Sequence, residues 1–174
     1  GGDLNNDGAV SSPAKGDWYT IIMNGSSSYD GIGELENCLF RYGGKNYTGE
    51  LTTVYYYGST IGYFKNNTVE QSLYGAVKIH SCSNIEFNNN VLENNDGAGA
   101  EVISSAIDIT DFTITDNGSY GIYVNGSGAS INNCEMSNNG SHGIYGSGAS
   151  YEITNCQINN NGGWAAKLDN CTIK

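Results

Sequence analysis

Hydrophobic and polar positions recur along this chain with a long period. The run Gly121, Ile122, Tyr123, Ile131, Asn133, Cys134, Met136, Gly140 returns 22 residues later as Gly143, Ile144, Tyr145, Ile153, Asn155, Cys156, Ile158, Gly162. Aligning the remainder on this frame produces columns of like residues. One holds Asn37, Asn66, Asn89, Asp111, Asn133, Asn155 and Asn170, and a second holds Asn95, Asn117, Asn139 and Asn161. The first column is followed directly by Cys38, Asn67, Asn90, Phe112, Cys134, Cys156 and Cys171, and two residues further by Phe40, Val69, Leu92, Ile114, Met136, Ile158 and Ile173. Leu35, Phe64, Phe87, Ile109, Ile131, Ile153 and Leu168 precede it in the same frame. Alternation of this kind predicts short strands with one buried face.

Strand runs of four or five residues, closed by Asn-Asn-Gly and Gly-Ser-Gly, are too brief for helices. A repeat of about 22 residues fits one coil of two or three strands. The predicted fold class is all-β, a parallel β-helix of about seven coils. Coils stacked at about 4.8 Å place each column over itself. Asn suits such a column in two ways: it tolerates the left-handed conformation of a bend, and its amide can donate to one neighbour while accepting from another.

The pattern G-I-x-V … I-x-N-C-x-I-x-x-N-G resembles the repeats of right-handed parallel β-helix proteins of the pectate-lyase-like superfamily, bacterial secreted and surface types, over residues 18–174. The resemblance implies a right-handed coil, an extracellular or cell-surface location and polysaccharide as partner. It implies no single activity, because that superfamily includes lyases, hydrolases, adhesins and non-catalytic binders.

Composition narrows the partners. Eighteen acidic residues against seven basic ones give a net charge of −11, which repels a phosphate backbone and argues against nucleic acid. No apolar run approaches the roughly 20 residues of a membrane span, so no membrane insertion is expected. The five Cys are an odd number. Cys134, Cys156 and Cys171 align among Ile and Met, which predicts small buried thiols rather than a thiolate metal site. The last coil breaks off in mid-strand at Lys174, which reads as a segment of a larger protein or as an end covered by end-to-end self-association.

Residues 1–17 form a separate segment. Asp3, Asn5, Asp7 and Ala9 follow the alternate spacing of a D-x-[DN]-x-D-G calcium loop, with Gly8 at the sharp turn. The twelfth position, which wants a bidentate Glu, is Ala14, and Asp17 is the nearest substitute. Similar segments followed by a P-x-x-GDW stretch, here Pro13 to Trp18, occur in bacterial β-helix proteins, and the resemblance implies a structural Ca²⁺.

Two further sets of residues carry candidate chemistry. One outward column reads Arg41, Glu70, Glu93, Thr115, Ser137, Asn159, Lys174. By resemblance to polysaccharide lyases, Glu70 and Glu93 would hold Ca²⁺ against a uronate while Arg41 removes the proton alpha to its carboxylate. A surface salt-bridge ladder accounts for the same residues. The Asp-rich NTD, DD and GHG motifs of hydrolases with this fold are missing, and His80 and His142 stand apart from Asp108 and Asp111.

The second set is aromatic. Tyr123 and Tyr145 repeat just after inward Ile122 and Ile144, so they face out, while Tyr55, Tyr56 and Tyr57 crowd an insertion before Asn66. Exposed rings can stack on a pyranose, and cross-strand packing accounts for them equally. The leading expectation is a non-catalytic polysaccharide-binding module with structural Ca²⁺. The alternatives are a calcium-dependent lyase and a structural spacer or filament subunit.

Overall fold

The computed structural model describes residues 12–26, 28–45, 49, 51–58, 60–148 and 150–173. Each coil contributes three strands. The first is β1 (Ile21–Asn24), β2 (Ile32–Glu36) and β3 (Leu39–Arg41), and the second is β4 (Thr52–Tyr57), β5 (Ile61–Lys65) and β6 (Thr68–Glu70). Next come β7 (Gly75–His80), β8 (Asn84–Asn88) and β9 (Val91–Glu93), then β10 (Ala100–Ile103), β11 (Ile107–Thr110) and β12 (Thr113–Thr115). The chain continues through β13 (Ile122–Asn125), β14 (Ala129–Asn132) and β15 (Glu135–Ser137), then β16 (Ile144–Ser147), β17 (Ser150–Thr154) and β18 (Gln157–Asn159). A last partial coil holds β19 (Ala166–Asp169) and β20 (Thr172–Ile173). No helix occurs among the described residues.

Every third strand pairs in parallel, so three sheets run the length of the molecule. The first sheet is β1-β4-β7-β10-β13-β16-β19, the second β2-β5-β8-β11-β14-β17-β20, and the third β3-β6-β9-β12-β15-β18. This is the parallel β-solenoid that the periodicity predicts. In-register stacking brings the inward columns together: Val69, Leu92, Ile114 and Met136 are each 0% exposed. Each such side chain contributes about 1.5–3 kcal/mol of burial. Phe64, Phe87 and Phe112 extend the core on the adjoining sheet and bend, with ring centroids 5.9 and 4.6 Å apart.

The bends share one grammar, a left-handed residue followed by a buried or half-buried one. Asn37, Asn66, Asn89, Asp111, Asn133 and Asn155 take φ of 51–62° between the second and third sheets. Tyr42, Gln71, Asn94, Asp116, Asn138 and Asn160 take φ of 52–63° between the third sheet and the first. The predicted Asn ladder is present, but it belongs to the residues after the left-handed ones. Asn95 Nδ2 donates to Asn117 Oδ1 at 2.9 Å, Asn117 to Asn139 at 3.0 Å and Asn139 to Asn161 at 2.9 Å. The second amide proton goes to the carbonyls of Val69, Leu92, Ile114 and Met136 in turn. Among the described residues no buried side-chain nitrogen or oxygen lacks a partner. Three successive coils carry a Gly beside this ladder, Gly99, Gly121 and Gly143: a Cβ on Gly121 would lie 2.6 Å from the Gly143 carbonyl oxygen and 3.1 Å from Asn139 Nδ2.

The last coil departs from the predicted alignment. Leu168 pairs with Gly146 on the first sheet, and Thr172 pairs with Ser150 on the second. Asn170 therefore stacks on Gly148, at the bend between first and second sheets, and not on Asn155. Cys171 lies with it, so the predicted Cys column is two residues long, Cys134 and Cys156. The bend after the first sheet also places a small residue behind a left-handed one, as at Ser81–Cys82, Ser104–Ser105 and Asn170–Cys171, which is why it mimics the Asn–Cys motif of the bend after the second.

Candidate functional site

The outward face of the first sheet carries a dense set of half-buried and exposed rings. One outward column is Ile22, Tyr55, Lys78, Glu101, Tyr123, Tyr145, Lys167, and a second is Asn24, Tyr57, His80, Ile103, Asn125, Ser147, Asp169. Tyr123 and Tyr145 stack as expected, with centroids 5.5 Å apart and planes 8° from parallel. Beside them, just before β13, β16 and β19, lie Tyr120, His142 and Trp164. Tyr120 is 5.7 Å from His142, and His142 is 5.5 Å from Trp164 at 11°. Tyr120 also sits 5.6 Å from Tyr123 and 5.5 Å from Tyr145, closing the two files into one platform.

Polar contacts fix the platform's edges. The Trp164 backbone N–H donates to His142 Nδ1 at 3.0 Å, which leaves that ring with its proton on Nε2. Gly163 permits this, since a Cβ there would collide with the imidazole. Tyr145 donates to Asp169 Oδ2 at 3.2 Å, and Lys167 pairs with the same oxygen at 3.4 Å while its ammonium lies 5.4 Å from the Tyr145 and Trp164 ring centres. Tyr120, His142 and Trp164 escape a search for identical residues because a Tyr, a His and a Trp share one column. Their 22-residue spacing is the signal that finds them.

The other aromatic group is a strand rather than an inserted loop. Tyr55, Tyr56 and Tyr57 lie on β4, so they alternate. Tyr56 points inward at 0% exposure, donates to the Tyr63 carbonyl at 2.8 Å and meets Phe64 edge-on. Burial pushes its phenol well above the ordinary range. A Cβ on Gly33 would come within 2.5 Å of the Tyr56 ring, so that glycine makes the space it fills. Tyr56 is thus a core residue, contrary to the expectation of a sugar-facing ring. Tyr55 is turned outward but only 5% exposed, with its hydroxyl 3.1 Å from His80 Nδ1. Tyr57, at 41%, presents a surface beside His80.

The Arg41 column is in register on the third sheet, with Glu70 and Glu93 on the next two coils. Arg41 Nε donates to Glu70 in an ion pair. Burial, then hydrogen bonding and repulsion from Glu70, raises the Glu93 carboxyl above its ordinary value. The trio forms a ladder of one cation and two carboxylates in which the guanidinium is engaged by Glu70, so Arg41 would have to leave Glu70 before acting as a base. Among the described residues, no group of three or more His, Cys, Asp or Glu could hold a metal ion.

The calcium expectation falls on Asp3, Asn5, Asp7 and Ala9, outside the described residues. Asp17 lies within them, and its carboxylate accepts the Ala14 N–H at 2.9 Å. Lys174 of the Arg41 column lies outside them as well. Burial pushes the Cys134 thiol up to about 12, as suits a packing residue and not a thiolate ligand. A groove of about 450 Å³ crosses the second sheet over Glu86, Asn88, Asp108 and Thr110, but Phe87, its only ring, is 2% exposed.

A family model for right-handed β-helix regions matches residues 103–174. Together with the three stacked sheets, it makes the chain a β-helix repeat protein. No curated protein matches the chain.

Proposed function

We propose that this β-helix is a non-catalytic carbohydrate-binding module of the extracellular or cell-surface kind, with its binding surface on the first sheet. The observation that carries the reading is the platform of Tyr120, Tyr123, His142, Tyr145 and Trp164. Parallel rings in contact at a centroid separation of 5.5 Å are offset like shingles, so a strip of each face stays open. Trp164 is 61% exposed. A pyranose turns an apolar C–H face to such rings and its hydroxyls to the flanking Asn125, Ser147 and Tyr edges. Coil-to-coil spacing repeats the rings at intervals comparable to one sugar unit. The resemblance to pectate-lyase-like proteins of bacteria supports polysaccharide as the ligand class. Ca²⁺ on Asp3, Asn5, Asp7, Ala9 and Asp17 belongs to the same proposal as a structural ion; a chelator should then lower the thermal midpoint by a few degrees, and an unchanged midpoint removes the ion.

Affinity electrophoresis through gels containing a panel of polysaccharides tests the platform. Trp164→Ala or Tyr123→Ala is expected to weaken retardation by about 0.5–1.5 kcal/mol, roughly threefold to tenfold. Tyr29→Ala removes an 81% exposed ring away from the sheet and should leave it unchanged. Equal losses from all three variants, or no retardation of the wild type, would overturn the reading.

A further inference from the structure

We infer that the glycan held on the first sheet is a neutral chain and not a uronate or sulfated polymer; this rests on the binding face proposed above. The net charge of −11 is spread unevenly among the sheets. Outward on the second sheet stand Glu34, Glu36, Glu86, Asp108 and Glu152, with Lys65 paired to Glu86 at 3.3 Å. Outward on the third stand Glu70, Glu93 and Glu135, with Arg41 paired to Glu70. Among the described strand residues of the first sheet, the outward acids Glu101 and Asp169 are matched by Lys78 and Lys167. The face with the rings is the one where charge balances.

The platform itself has no uncompensated cation to offer. Lys167 is held by Asp169, and His142 takes the Trp164 N–H on Nδ1, which a protonated imidazole cannot do. A polyanion would approach against the field of the whole molecule and find no ion pair at the rings. A neutral hexose chain meets neither penalty. Its ring faces and hydroxyls match a surface of aromatic strips, phenols, amides and hydroxyls.

Affinity electrophoresis of the wild-type chain at low and high salt separates the cases, with a neutral arm (mixed-linkage β-glucan, galactomannan, glucomannan) and an anionic arm (polygalacturonate, alginate, a sulfated galactan). The expected result is retardation by at least one neutral polymer, changing less than about twofold with salt, and binding to every anionic polymer at least about tenfold weaker. Tighter binding to an anionic polymer, falling as salt rises, overturns the neutral-chain inference while sustaining the binding face. Retardation by neither arm overturns the binding face, and the inference with it.

Discussion

Asparagine does two different jobs in this chain, and adjacent residues divide them. Asn138 takes φ of 57° and turns the backbone, while Asn139 beside it is 1% exposed and donates along the ladder. The sequence shows Asn-Asn at this place and reveals the period, but it does not say which member bends and which bonds, because Asn is suited to both. The two positions should respond to different substitutions. Asn117→Ala strips partners from the Asn95 backbone N–H, one Asn95 amide proton and the Leu92 carbonyl. At about 1–3 kcal/mol for each buried group, a loss on the order of 3 kcal/mol or more is expected in urea unfolding. Asn138→Gly should be nearly neutral, whereas Asn138→Val, forced into a left-handed conformation, should cost about 1–2 kcal/mol.

Glu93 makes a pH-dependent prediction. Its carboxyl is raised in the folded state, so its contribution is fully present below the unfolded-state value and is lost as pH rises through the folded one. Glu93→Gln removes a like charge directly opposite Glu70. It should therefore stabilise the protein at neutral pH by about 0.2–1 kcal/mol, with the gain vanishing below the ordinary Glu value of 4.5. Melting curves of both proteins across pH 3–8 check this; a gain that persists at the acid end contradicts it.

Strand pairing was legible where the period is regular and misread where it is not. From Asn89 to Asn155 the columns advance by 22, and the sheets pair as the alignment requires. In the first coils the step lengthens, so the β4 strand with Tyr55, Tyr56 and Tyr57 looks like an insertion although it continues the first sheet. At the other end Asn170 and Cys171 copy the pattern of Asn155 and Cys156 at a different bend. Sequence periodicity reports that a bend occurs, while backbone pairing decides which one. Since contacts are made between neighbouring coils, removal of one full repeat should be tolerated. Deletion of residues 117–138, which joins Asp116 to Asn139, preserves every column and should retain the β-sheet circular dichroism with a lower midpoint. Deletion of 117–137 turns side chains of the following strand out of register and should abolish cooperative unfolding.

Across the molecule, the three sheets differ more in their outer surfaces than in their cores. The first gathers aromatic rings and balanced charge, and the second and third gather acids. The sequence shows total charge and the number of Tyr, but the partition among faces depends on three-sheet register; Tyr120, His142 and Trp164 share a column by their 22-residue spacing, a signal that their differing residue types hide. The fold itself was legible because like residues recur at one spacing. The candidate site was legible in part, since Tyr123 and Tyr145 lie on the ring platform while Tyr56 lies in the core. Everything placed on those faces depends on side chains one repeat apart stacking directly. Side-chain amide hydrogen exchange, followed by NMR on Asn-labelled protein, reports that stacking most directly. Asn95, Asn117 and Asn139 should exchange orders of magnitude more slowly than exposed Asn133 and Asn155, in the manner of groups released only by global opening. Uniformly fast exchange of all five amides would contradict the stacked ladder and the faces built on it.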